Sequence, residues 1–504
     1  MQYSVLDLYT QGLSSVLNVQ VILLLILGVF IGVFVGAMPG LTATMGVAVI
    51  TPVTYTLGVE ASFALLLGVY CGGVYGGSIT AVIAKIPGTP SAMMTTLDGY
   101  PMGQQGKAGK AIGIATVASC IGGVISALIL SVFAPLIASF ALRFSAQEYF
   151  AIAVFGLCII AYISEGNIVK GLISAVIGLL LATVGMDSIT GYSRFIFGNY
   201  MLMEGIQMIP LLIGIFGFAE VLSLSMKIIK DVEVVQQIGK VYPSWKELKP
   251  LLPTITRSSV IGTIVGAIPA AGGTISAILA YGVEKRLSKH PEKFGTGIPE
   301  GVAAPEAANN ATSGGAMIPL LTLGIPGDAT TAILIGALLI HGLTPGPNLF
   351  RENMPVVSSI FILLALSNIV FLFAGGIGAR VMSRAICISM TYLIPIISMF
   401  CIVGAYAIRY STFDIFVLII FGIIGFLFGQ LGLPTAPLVL GFVLGGLVES
   451  GLRRGLVLAN GDVSSFIARP ISTTFLVLSA LMLLAPVIAN GIKKLSKNRG
   501  TKNA

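Results

Sequence analysis

Residues 304–328 read APEAANNATSGGAMIPLLTLGIPGD, a stretch with the apolar length of a membrane span that nonetheless carries Glu306, Asn309, Asn310 and Ser313. These four stand at i, i+3, i+4 and i+7, which puts them on one face of a helix. An ionised glutamate turned to lipid at mid-bilayer costs roughly 2.5–3.5 kcal/mol or more, so this face must turn toward other helices or toward water. The pattern then breaks at Gly324-Ile325-Pro326-Gly327, because proline lacks a backbone donor and glycine takes dihedrals that other residues avoid. Broken backbone at membrane depth is tolerated only where it is buried in protein or lines a cavity. A polar helix face followed by a break is therefore the first indication of a functional site.

The rest of the chain sets this stretch in an all-α, polytopic helical membrane protein. Of 504 residues, 56% are hydrophobic and 10% charged, and the mean hydropathy is +0.99. Apolar runs of about 18 residues or more recur throughout, where an outer-membrane barrel would show short alternating segments. The 62 glycines suit close helix–helix approach and broken helices. The formal charge of +8 comes from loops and the tail, as the positive-inside rule expects, so the bilayer and not nucleic acid is the implied partner. Cys71, Cys120, Cys158, Cys387 and Cys401 are scattered in apolar segments without metal or disulfide spacing. The first twenty residues lack a basic n-region and a cleavage site, so the first span is expected to act as the insertion signal.

Taken in order, a span near 19–38 ends in VGAMPGLTATMG (35–46), and a second, 60–84, runs into YGGSITAVIAKIPGTPS (75–91). Further spans are expected near 111–140, 147–164, 167–184 and 205–226. The composition turns basic at Lys227. The expected organisation is an N-terminal membrane repeat (1–226), a basic cytoplasmic linker (227–257), a C-terminal membrane repeat (258–465), and a terminal span with a basic cytoplasmic tail (466–504). In the second half, spans are expected near 354–375, 385–405, 413–430, 434–449 and 466–490. VGAMPG (35–40) matches VGAIPA (265–270) at an offset of 230, and GGSITAVIAKIPGT (76–89) matches GGAMIPLLTLGIPGD (314–328) at 238, drifting to 239. Each half thus carries a span, a break, a span and an IPG break, an arrangement that points to a secondary transporter site. No Lys or Arg precedes the first span, whereas a basic loop precedes its counterpart, so the two repeats are expected to be inverted. Arg453 and Arg454 run against that scheme. At the 238 offset the polar face is unmatched, lying opposite Gly68, Cys71, Gly72 and Tyr75.

The runs YGGSITAVIAKIPGTPS and LDGYPMGQQGKAGKA, with GIPEGVAAPEAANNATSGGAMIPLLTLGIPGDATTAILIGALLIHGLTPGP (297–347), resemble the large membrane subunit of tripartite tricarboxylate transporters, the TctA family. The resemblance implies a bacterial inner-membrane secondary transporter. It would work with a small membrane subunit (TctB-like) and a periplasmic substrate-binding protein (TctC-like), importing di- or tricarboxylates on an ion gradient, with no cofactor. The family pattern has Asn at the position of Lys85 and a small residue at that of Asp328.

New helices start after each break, and their first amides lack intrahelical partners and carry the positive end of the dipole. Such ends hold carboxylates without a basic side chain. The candidate substrate cradle is Pro39, Gly40, Thr42 and Thr44; Pro87, Gly88, Thr89 and Ser91; Gly272, Gly273 and Thr274; and Pro326, Gly327, Thr330 and Thr331. Import of each negative charge against an inside-negative potential costs roughly 2.3 kcal/mol per 100 mV, so compensating Na+ or H+ must enter. Glu306 is the first candidate for that cation, with Asn309 and Asn310 as neutral oxygen ligands of a Na+; Asp328 is second and Asp98 third. Beside these readings stand plainer ones. Glu306 and the asparagines would serve to bond helices together, Lys85 would pair with an acid such as Asp328, His341 would be packed, His290 solvated, and Asp98-Gly99-Tyr100-Pro101 a turn. The alternatives in function are a stand-alone ion-coupled carrier or channel, a structural subunit, and a membrane enzyme. Two histidines, no HExxH and no GxSxG speak against the last.

Overall fold

The computed structural model describes residues 5–163, 168–187, 189–226, 239–385 and 390–484. Residues 227–238, Cys387 and the basic tail lie outside these, as does the end of the expected 466–490 span. Eight helices among the described residues are long and apolar enough to cross a membrane. The chain forms two compact units, Met1–Leu142 with Gln207–Leu427, and Arg143–Ile206 with Phe428–Ala504.

The first unit opens with α1 (Val5–Val16), α2 (Val19–Ala37) and a short α3 (Ala43–Ile50). These are followed by α4 (Val59–Ala84), α5 (Met93–Met102) and the 34-residue α6 (Ala108–Ala141). The second unit holds α7 (Ala146–Ile163) and α8 (Ile168–Ala182), then a two-stranded ribbon, β1 (Gly185–Met186) and β2 (Ser193–Arg194). The chain returns to the first unit through α9 (Met208–Leu212), which runs by a π-helical stretch into α10 (Ala219–Ser225). After α11 (Trp245–Leu248) come α12 (Leu252–Gly266), α13 (Gly272–Leu287), α14 (Pro299–Leu323) and α15 (Ala329–Ile340). Residues 252–257, assigned by charge to the linker, are thus the start of α12. The first unit closes with α16 (Pro347–Glu352), α17 (Met354–Ala385), α18 (Met390–Ala407) and all but the last turn of α19 (Thr412–Leu431). The second unit then gains α20 (Thr435–Leu458), which runs beyond the expected 434–449 span, and α21 (Ser465–Ala468).

The polar stretch around Glu306 is α14, and it is buried on every side from Gly301 to Thr322. Alanine and glycine make this possible by letting neighbouring backbones approach. A Cβ on Gly122 of α6 would strike the Ala307 carbonyl, and one on Gly314 would strike Ser126. As α6 advances from 122 to 126, α14 advances from 307 to 314, so the two run parallel.

The α2–α4 and α12–α14 pairs are built from matching contacts. Cβ atoms on Gly32 and Gly36 would strike the carbonyls of Val69 and Gly73; on Gly262 and Gly266 they would strike those of Ala308 and Thr312. Gly76 meets the Val33 carbonyl as Gly315 meets that of Thr263. The correspondence is 230 residues for the first helix of each pair and 239 throughout the second, not 238. At 239 the polar face lies opposite Leu67, Tyr70, Cys71 and Val74. Within each pair the helices are parallel. Between pairs they are not, because Asn309 Nδ2 donates to the Val74 carbonyl (3.4 Å) and Asn310 Nδ2 to that of Cys71 (3.5 Å), so α14 descends as α4 rises.

In the second unit, Asp187 at the ribbon accepts from the Ile189 and Thr190 amides and pairs with Arg453 (2.6 Å), while Arg194 forks onto Glu449 at 2.6 and 3.1 Å. The Thr190 amide first, then Arg453 and the Ile189 amide, hold the Asp187 carboxyl well below the usual carboxylate range. Arg453, which ran against the expected topology, is therefore neutralised by acids.

Candidate functional site

The four expected breaks are four real interruptions. The α2–α3 break has Gly40 at φ +88°, and Thr42 caps α3, its hydroxyl accepting from the Met45 amide at 3.1 Å. At the corresponding α12–α13 break Ala270 stands at φ +61°. The IPG breaks follow left-handed caps, Lys85 (φ 58°) after α4 and Gly324 (φ 71°) after α14. Glycine is required next: a Cβ on Gly88 would strike the Gly36 carbonyl, and one on Gly327 would lie 2.8 Å from the Gly266 carbonyl.

These breaks bring the four new helix starts to one level of the first unit. Ala43, the first residue of α3, abuts Gly73 of α4, and Thr89 abuts Gly77 one turn away. The Thr44 and Thr330 hydroxyls share a 2.8 Å hydrogen bond between α3 and α15. Gly273 of α13 lies against Ser91, with 3.2 Å from its Cβ position to that of Ser91. The Ala270 amide donates to the Gly327 carbonyl at 2.7 Å, joining the two breaks of the second half. Pro39, Pro87, Gly272, Thr274, Pro326 and Thr331 belong to the same four segments.

Glu306 is fully buried, and its carboxyl accepts from the hydroxyls of Thr95 on α5 and Ser119 on α6, the latter at 3.0 Å. Among the described residues no Lys, Arg or His pairs with it. Asn309 and Asn310 are buried, and the side-chain oxygen of each has no hydrogen-bond partner. Asn309 Oδ1 points at Gly273, where a Cβ would collide with it. Asn310 Nδ2 reaches Asn368 Oδ1 on α17 at 3.4 Å, a polar neighbour the sequence reading did not single out. No cluster of three or more His, Cys, Asp or Glu side chains suited to a metal exists among the described residues.

The other two acids are occupied by the protein itself. Asp98 Oδ1 accepts from the amides of Gly295, Gly297 and Ile298 at 2.8–3.0 Å and its Oδ2 from Tyr281, so it anchors the entry to α14. Asp98 to Pro101 lie inside α5 and are not a turn, because the Asp98 carboxylate serves those distant amides and not its own backbone. Asp328 is the N-cap of α15, accepting from the Thr331 amide (2.7 Å) and from the Tyr70 hydroxyl (2.6 Å). Tyr70, which the sequence gave no reason to single out, stands opposite Asn309 at the 239 offset. The expected Lys85–Asp328 pair does not form; Lys85 is exposed, with Nζ 5.6 Å from the Tyr100 ring centre. His290 is exposed beside Glu292. His341 caps α15, with Nε2 buried. The four described cysteines are free and buried.

A family model described as the tripartite tricarboxylate transporter TctA family matches residues 22–440. An uncharacterized 52.8 kDa protein of the TAR-I ttuC' 3' region of Agrobacterium vitis is 37% identical over 92% of this chain and 91% of its own. An uncharacterized protein of the TAR-II ttuC' 3' region of the same organism is 35% identical over 45% of this chain and 94% of its own. No solved structure gives a significant match.

Proposed function

The chain belongs to the TctA family of multi-pass membrane transport proteins, and from that premise we propose that it is the large transmembrane subunit of a binding-protein-dependent importer of di- or tricarboxylates, driven by Na+ or H+. The observation that carries this reading is the meeting of four helix starts at one level. Amides and hydroxyls of Thr42, Thr44, Thr89, Ser91, Gly273, Thr274, Thr330 and Thr331 lie at that level, where the hydroxyls of Thr44 and Thr330 and of Thr89 and Ser91 bond one another. Three of these positive dipole ends, those not capped by an acid such as Asp328, favour an anion without a buried Lys or Arg.

Glu306, Asn309 and Asn310 are the proposed coupling site. A buried carboxylate with two hydroxyl donors and no cation lacks the compensation that burial demands, and a proton or a Na+ would supply it. The unpartnered amide oxygens of Asn309 and Asn310 suit a hard cation. Asp98 and Asp328 are less suited, since their oxygens already accept from the protein. The membrane partner would be a small TctB-like subunit and the soluble one a periplasmic TctC-like binding protein. By charge, the end of α6 that carries Lys110 and meets the basic 239–251 segment is cytoplasmic. Uptake of labelled citrate-like acids by proteoliposomes, with both partners and separate Na+ and pH gradients, tests the reading; uptake independent of either gradient would refute it.

A further inference from the structure

The four helix starts are not chemically equal. The neutral hydroxyl of Thr42 caps α3, and α13 follows Ala271 with no side-chain cap. The turn that opens α5 follows Thr89, again with no side-chain cap hydrogen bond. Of the four, α15 alone begins on an acid. Asp328 Oδ1 accepts from the Thr331 amide at 2.7 Å, and the Thr331 hydroxyl accepts from the Asp328 amide at 2.8 Å. The 239 offset supplies an internal comparison, since Asp328 of IPGD stands where Thr89 of IPGT stands in the first half. Both residues have extended backbone, so the two breaks match in conformation and differ in charge.

Capping alone does not account for the acid. Serine, threonine and asparagine cap helices much as aspartate does, and threonine does so at α3. What the carboxylate adds is a charge and a second oxygen, and that oxygen is engaged. Tyr70 of α4, 1% exposed, donates its hydroxyl to Asp328 Oδ2 at 2.6 Å. Among the described residues no Lys, Arg or His pairs with Asp328. Its charge is met by the α15 dipole, an amide and a phenol, the kinds of group that a bound carboxylate would find at a helix start.

We infer that Asp328 is a built-in carboxylate, filling the place that the third carboxylate of a tricarboxylate would take, and that this chain selects dicarboxylates. The inference rests on the transport reading above and narrows its substrate class. The Thr44–Thr330 hydrogen bond ties α3 to α15 two residues beyond Asp328, so the fixed charge lies beside the level where the starts meet. A further anionic group at the α15 start would meet it at close range, away from bulk water, where like charges repel strongly. A dicarboxylate needs only starts that carry no acid.

The test is binding by calorimetry to the full chain with its small membrane partner in nanodiscs, at saturating Na+ and without the soluble binding protein, so that only the membrane site selects. The probes are glutarate and tricarballylate, which share a backbone and differ by the middle carboxylate. The native chain should bind glutarate about 10-fold or more tighter. Asp328→Asn keeps the cap and a partner for Tyr70 while removing the charge, and Asp328→Thr copies the first half. Each should move the ratio toward tricarballylate by about 10-fold or more. A ratio unmoved in both variants, or a native preference for tricarballylate, would overturn the inference and leave the transport reading standing. Equal weakening of both probes, the mark of a purely structural cap, would do the same. If neither probe binds the native chain or either variant, with Na+ or at acid pH, the carboxylate reading falls and takes the inference with it.

Discussion

The side-chain oxygen of Asn309 is buried against Gly273 at the start of α13 and accepts no hydrogen bond. A buried carbonyl oxygen without a donor costs about 1–3 kcal/mol, a cost that a bound cation in the proposed coupling site would relieve. A Cβ on Gly273 would occupy that position and would also approach Ser91 at 3.2 Å. Gly273→Ala should therefore raise the substrate or cation concentration for half-maximal uptake by about 10-fold or more, with about 1–3 kcal/mol lost from stability by overpacking. Flux titrations in proteoliposomes would show this, and unchanged half-saturation for both species would remove Gly273 from the site.

Glu306→Gln removes the charge and keeps an acceptor for one of Thr95 and Ser119, while the other hydroxyl can turn to accept from the new amide. Inserted protein should accumulate normally, and gradient-driven uptake should fall by about 100-fold or more, consistent with about 2.7 kcal/mol of lost coupling. Measuring uptake under an imposed Na+ or pH gradient, beside membrane content, separates coupling from folding. Normal driven uptake would end the cation role of Glu306.

The breaks themselves were legible because proline and glycine announce them, and the i, i+3, i+4, i+7 spacing placed Glu306, Asn309, Asn310 and Ser313 on one helix. What spacing could not give was the partner of each group. Asp98 reads as a turn residue beside Gly99 and Pro101, yet it binds amides about two hundred positions away. Asp328 reads as an ion ligand, yet local capping and Tyr70 take its oxygens. The ribbon network of Asp187, Arg194, Glu449 and Arg453 joins residues distant in sequence, and no periodicity reports such pairs.

Gly88→Val and Gly327→Val test the IPG breaks. Their Cβ positions run into the Gly36 carbonyl and into Ala316, neither of which has room to yield. Each variant should lose substrate binding, read as uptake reduced about 10-fold or more, together with a lowered melting temperature in detergent. Unaltered substrate affinity in either would argue that its break does not shape the cradle.

Asp98→Ala separates anchoring from coupling. It would strand the amides of Gly295, Gly297 and Ile298 and the Tyr281 hydroxyl, costing about 2–4 kcal/mol of stability. The melting temperature should fall sharply, while the Na+ or pH dependence of the remaining uptake keeps its midpoint. A shifted midpoint with unchanged stability would instead return Asp98 to the ion path.

Asp187 predicts the direction of an acid effect. The Thr190 amide first, then Arg453 and the Ile189 amide, hold its folded-state carboxyl below the ordinary value. A group depressed in this way contributes stability that is complete above its unfolded pKa, about 3.9, and is lost as pH falls toward the folded value. Acidification below about pH 4 should therefore loosen the ribbon between α8 and α9, seen as faster backbone hydrogen exchange in residues 185–194 after correction for the intrinsic rate. Asp187→Asn removes the titrating group, so its ribbon should exchange faster at neutral pH and gain little further from acid. An acid response of equal size in Asp187→Asn would assign the effect to another carboxylate.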